Sequence, residues 1–152
     1  MNPAQNWTEL VRLFARLALG ASFLSAVADR FGLWGPRGAK SVSWGDFAHF
    51  VEYTRRVTSL FPGPLAVPFA WAATAGETLF GILLIVGLKI RMVSVLSGLL
   101  LLSFAMGMVT GLGVKTPFDY SVFSAAAAAF LLALWEPDRF TLDKVLQGDT
   151  SR

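Results

Sequence analysis

A carboxylate stands where lipid-embedded chains seldom place one. Glu77 is the thirteenth residue of a 24-residue stretch, Leu65 to Leu88, in which no other side chain is charged. Read as a membrane helix, the stretch puts Glu77 near mid-bilayer, where an ionisable group costs roughly 2.5–3.5 kcal/mol on insertion scales and marks a functional site. A buried carboxyl there can hydrogen-bond a ligand's polar head, exchange a proton with it, or lock two helices together. Ala70, Ala73, Gly81 and Leu84 share the helical stripe of Glu77; the small residues among them either admit a close helix or leave room for a ligand. Arg16, on the preceding apolar segment, is the expected counter-charge. It falls about 8 Å to the cytoplasmic side of Glu77 if both helices are centred, at ~1.5 Å per residue. Glu77 and Arg16 are thus the candidate catalytic pair, and the alternative for Arg16 is an anchor that snorkels to the headgroups with Arg12.

The ligand-binding candidates surround that pair. Ala15, Ala18, Ser22, Ser25 and Asp29 form a small-to-polar stripe suited to a bundle interior, with Arg30 beside Asp29 at its outer mouth. Ser22, Ser25, Asp29, Arg30, Ala73 and Gly81 are therefore expected to line the site. Asp119 and Tyr120 open a later helix at the same end and join the set, although Thr116-Pro117-Phe118-Asp119 also reads as an N-cap followed by proline and a first-turn acid. His49 has Asp46 three residues before it and Tyr53 four after, the pattern of a satisfied surface histidine. One histidine is a poor basis for a metal site, and none is expected.

Four apolar elements must position these residues. Leu65–Leu88 and Met92–Val114 are long enough to cross a bilayer unaided. Tyr120–Trp135 has 16 uncharged residues, extended by Pro117 and Phe118, and Leu17–Ala28 has 12 and crosses only if Arg12 and Arg16 snorkel. The expected spans are about 11–31, 65–88, 92–114 and 117–135. Ala26-Val27-Ala28 also has the small-x-small form of a signal-peptidase site, so the first segment reads as a retained span or as a cleavable leader. Lys89 and Arg91 make the tight turn between the strong spans basic, which places it and both termini in the cytoplasm. Trp7 and Trp135 then fall at the inner interface, Trp34 and Trp44 at the outer one.

Between the first two spans, Ser43 and Asp46 form an S-x-x-D box expected to open an amphipathic outer helix over about 43–60. Phe47, Phe50, Val51, Thr54, Thr58 and Phe61 share one face, with Glu52 and Arg56 on the other. Ser103, Gly107 and Gly111 recur every four residues on the third span, a seam for close helix contact. The fold class is all-α: an integral membrane four-helix bundle with this additional helix.

Composition narrows the chemistry. With 55% hydrophobic and 15% charged residues, 152 residues make one membrane domain rather than a soluble one. The net charge of +3 is scattered in ones and twos, which removes nucleic acid as a partner. The chain has no cysteine, excluding an iron–sulfur cluster, covalent haem and a thiol relay, and a single histidine excludes bis-histidine haem. Redox work would require a non-covalent cofactor such as a quinone, or one held by a partner.

Arg16-Leu-Ala-Leu-Gly20, Ser25-Ala-Val-Ala-Asp-Arg-Phe-Gly-Leu-Trp-Gly-Pro36 and Ala75-Gly-Glu-Thr-Leu-Phe-Gly-Ile-Leu-Leu-Ile-Val-Gly-Leu88, followed by a basic turn, resemble the DoxX-like family of small bacterial membrane proteins. The resemblance covers residues 10–136, and many relatives carry lysine near the position of Arg30. It implies a four-helix membrane bundle in the inner membrane. In some relatives that bundle is a subunit of thiosulfate:quinone oxidoreductase or is linked to quinone and thiol stress. The leading expectation is a protein that binds a small hydrophobic ligand, a quinone, as part of a membrane redox system with a redox partner protein or as a homo-oligomer. The alternatives are a non-catalytic assembly or stress-response subunit and a small transporter.

Overall fold

The computed structural model describes residues 3–136 and 139–149, all helix and connecting turns. The elements are α1 (Pro3–Arg30), α2 (Phe47–Val57), a 3₁₀ turn (Gly63–Leu65), α3 (Ala66–Val86), α4 (Ile90–Leu112), α5 (Thr116–Asp119), α6 (Val122–Ala133) and α7 (Leu142–Asp149). Helices α1, α3, α4 and α6 form a closed ring in which each packs on the next, and α2 lies against α3 and α4 at one end. Segments 6–30, 63–86 and 90–112 are long and apolar enough to cross a membrane. Their outward side chains, among them Phe14, Leu17, Leu79, Ile82, Met92 and Leu99, are apolar and exposed, so the bundle presents a lipid-facing surface.

Glycines set the closest approaches. A Cβ on Gly20 would lie 2.8 Å from the carbonyl oxygen of Gly81, and one on Gly98 would meet the Phe130 ring at 2.6 Å. Gly81 is therefore a packing residue between α1 and α3. The segment around Ala26-Val27-Ala28 is interior to α1, which forms one wall of the ring.

The end of the bundle opposite α2 is filled. Leu19, Phe23, Leu84, Ile90, Val93, Ala129 and Leu132 make its apolar core. α3 stops at Gly87 (φ 76), whose N–H and that of Leu88 both return to the Leu83 carbonyl. The N-terminus of α4 has no cap of its own, and Asp143 supplies one from α7, accepting from Lys89 N at 2.7 Å and Ile90 N at 2.8 Å. Arg16 belongs to this end. Its side chain is 2% exposed, Nη2 donates to the Phe140 carbonyl at 3.1 Å, and Nη1 fills the space that a side chain on Gly87 would need. Arg16 is neither a snorkelling anchor nor the partner of Glu77, which lies ten residues from Gly87, about 15 Å along the helix. Arg12 does reach outward, stacking 5.4 Å over Trp135 and donating to the Glu136 carbonyl.

Two expected elements differ. The fourth span is not one helix over 117–135: it breaks at Tyr120–Ser121, where Ser121 has φ 54, leaving α5 and the 12-residue α6. Asp119 and Ser121 are poor interior helix formers because their short polar side chains compete for the backbone. Thr116 lies within α5 instead of capping it, its hydroxyl turned to the Leu112 carbonyl, and Asp119 pairs with Lys115. The outer helix also starts later than Ser43. Asp46 is its N-cap, accepting from His49 N at 2.9 Å, a bond that holds the Asp46 carboxyl below the usual range. His49 Nδ1 meets the same carboxylate.

Asp29 explains the displaced start. Its carboxylate accepts the backbone N–H groups of Ser43 (2.8 Å), Trp44 (3.4 Å) and Gly45 (3.0 Å), so residues 43–45 wrap an acid on α1 and cannot begin a helix. Asp29→Ala is expected to cost about 2–3 kcal/mol by stranding these donors. The check is thermal unfolding together with amide exchange, which should rise at residues 43–45 before it rises in α4.

Candidate functional site

At the α2 end the ring interior holds charge instead of hydrocarbon. Arg30, the last residue of α1, reaches α3, where Nη1 donates to Thr74 Oγ1 at 3.0 Å and Nη2 forms an ion pair with Glu77 Oε2. Arg30 is 2% exposed and Glu77 4%, so the pair is closed off from bulk solvent. Thr74 donates its own hydroxyl hydrogen bond to the Ala70 carbonyl and thereby presents lone pairs to Arg30. The guanidinium is covered by aromatic faces, 3.7 Å from the Phe50 ring centre and 5.3 Å from Trp44. Such desolvated stacking is worth about 2 kcal/mol. Taking both ions from water still costs several kcal/mol each, so the pair is poorly explained as a device for stability alone.

The meeting of Arg30 with Glu77 follows from helix register. Gly20 packs on Gly81 and Ile85, and in an antiparallel pair ten residues onward along α1 corresponds to ten residues back along α3. That puts Arg30 level with Thr74, one turn from Glu77.

A cavity of about 650 Å³ opens beside the pair, between α2, α3 and α4. Arg30, Glu77 and Tyr53 are at its wall with Trp44 and Phe50. Phe69, Leu100, Phe104 and Met108 make the apolar remainder, and Leu60, Phe61 and Met106, all exposed, frame its mouth. Its roof is α2, whose end is seated on the seam of α4: a Cβ on Gly107 would be 2.9 Å from Val57 O, and one on Gly111 would overlap the Arg56 carbonyl and come 2.7 Å from Val57 Cα. The seam thus receives α2 and not another spanning helix. Burial pushes the Tyr53 phenol up to about 12, with Tyr120 adding to the effect, so it stays a neutral hydroxyl.

The remaining candidates separate. Ala73 joins Arg30 and Glu77 at the cavity. Ser22, Ser25 and Asp29 line a different hollow of about 690 Å³ between α1 and residues 34–44, where Trp34 Nε1 donates to the Ser25 carbonyl. Gly81 is in the α1–α3 contact, Arg16 is at the far end, and Asp119 with the exposed Tyr120 is outside the cavity wall. Sequence reasoning passed over Tyr53, Trp44, Phe50 and Thr74. The 3.6-residue repeat had placed Phe50 and Thr54 on one face, and both are buried, so that face was the available signal.

The DoxX sequence profile matches residues 11–111, well over half of the chain. The chain belongs to the DoxX family. No curated protein and no solved structure matches it. In this DoxX-family membrane protein the matched region runs from within α1 to nearly the end of α4, and includes Arg30, Glu77 and the whole cavity wall.

Proposed function

We propose that this DoxX-family chain binds a small hydrophobic molecule with a polar head, a quinone in chemical class, as a bilayer-embedded component of a redox system. Arg30 and Glu77, with Tyr53 at the wall, hold the head, and the apolar lining takes the ring and chain. The observation that carries this reading is a closed ion pair at the wall of a 650 Å³ apolar cavity. Without cysteine, the chain supplies no thiol electrons, so a redox partner protein completes any electron transfer. The basic turn at Lys89 and Arg91 orients the cavity toward the outer face of a bacterial inner membrane, with both termini cytoplasmic.

The test is mass spectrometry of small molecules extracted from protein purified gently in native lipid. A stoichiometric amphipathic compound is expected with wild type, and at least about tenfold less with Glu77→Gln at equal helical content. Equal recovery from both proteins would defeat the role given to Glu77.

A further inference from the structure

The hollow of about 690 Å³ between α1 and residues 34–44 is separate from the ion pair and differs from it in chemistry. Ser22 and Ser25 of α1 face Lys40, Ser41 and Ser43 of the loop across it. The Ser22 hydroxyl donates to Ala18 O at 2.8 Å, whereas those of Ser25, Ser41 and Ser43 make no hydrogen bond among the described residues and keep a proton to give. Ser41 holds a left-handed backbone (φ 66) that glycine would adopt at less cost, so a hydroxyl stands here against backbone preference. Lys40 is the one cation at the wall among the described residues; it is exposed and has no ion pair among them. The carboxylate of Asp29 is taken up by the N–H groups of residues 43–45, which leaves Lys40 to set the sign of the hollow. Residues 31–45 carry Arg37 and Lys40 and no acid.

Two features tie the hollow to the bilayer. Ser25 is about 7 Å inside the end of α1 at ~1.5 Å per residue, and the exposed Trp34, whose indole donates to Ser25 O at 3.1 Å, marks the headgroup level. From Ser25 the same helical stripe continues through Ala21, Leu17 and Phe14, all exposed and apolar. A lane that suits an acyl chain thus leads into a hollow of hydroxyl donors and one cation. We infer that this hollow binds the headgroup of an anionic phospholipid, its phosphate oxygens accepting from Lys40 and the loop serines, with one acyl chain laid along Ala21, Leu17 and Phe14. The inference is independent of the ligand proposed for the cavity beside Glu77.

The experiment is native mass spectrometry of the full chain in detergent carrying equimolar phosphatidylglycerol and phosphatidylcholine with identical acyl chains. Wild type is expected to retain phosphatidylglycerol over phosphatidylcholine by at least about fivefold, the factor contributed by one cation close to an anionic headgroup. Lys40→Gln should bring the two lipids near parity, and Lys40→Arg should restore the preference. Lys89→Gln removes the same charge from the exposed turn at the opposite end and should leave the preference in place. Chain-free glycerol 3-phosphate in millimolar excess should displace neither lipid. Equal retention of the two lipids by wild type, or equal losses in Lys40→Gln and Lys89→Gln, would overturn the site. Displacement by glycerol 3-phosphate would overturn the lipid as its occupant.

Discussion

Arg30→Ala is expected to lower stability by about 3–5 kcal/mol, the usual cost of leaving one member of a buried ion pair without its partner. Glu77 would lose Nη2 of Arg30, Phe50 and Trp44 would lose the cation between them, and Thr74 would lose its donor. The double variant Arg30→Met, Glu77→Leu should recover most of that loss, because apolar residues of similar volume remove both desolvation penalties together. Thermal and detergent unfolding of wild type, Arg30→Met, Glu77→Leu and the double variant, followed by circular dichroism, supplies the coupling. Additive effects of the two changes would show that the ions do not meet. A double variant that is stable but no longer binds ligand would place the value of the pair in function.

Gly111→Leu should unseat the end of α2 from α4. A Cβ there overlaps the Arg56 carbonyl, and main chain cannot rotate aside as a side-chain tip can. The end of α2 must lift, and the roof of the cavity with it. With overpacking at about 1–3 kcal/mol, amide exchange of residues 47–57 is expected to accelerate roughly 10- to 100-fold while α3 and α4 keep their protection. Ligand affinity should fall by a comparable factor. Unchanged exchange in α2 would mean that the helix is not held by this seam.

The helices could be read from uncharged length and the interior stripe of α3 from its small residues, because both depend on local periodicity. Ala70, Glu77, Gly81 and Leu84 are buried as that periodicity required. The partner of Glu77 could not be read in the same way. Centring each apolar stretch in the bilayer set Arg16 nearest, whereas the register between α1 and α3 is fixed by Gly20 against Gly81 and slides Arg30 to that level. Register between helices depends on which side chains interlock, and a single chain pattern does not encode it. Asp29 misled for a related reason: its acceptors serve backbone groups fourteen to sixteen residues away, which no motif within α1 announces. The break at Ser121 was hidden because counting charges ignores the backbone competition of Asp119 and Ser121.

The measurement closest to the central claim is site mapping with a photoreactive alkylphenol in nanodiscs, read by peptide mass spectrometry. Labels are expected on Tyr53, Phe69 and Met108 around the cavity, suppressed by excess 4-decylphenol and lost in Glu77→Gln. Labelling spread over the lipid-facing residues of α1, α3 and α4, insensitive to competitor and to the substitution, would contradict the account.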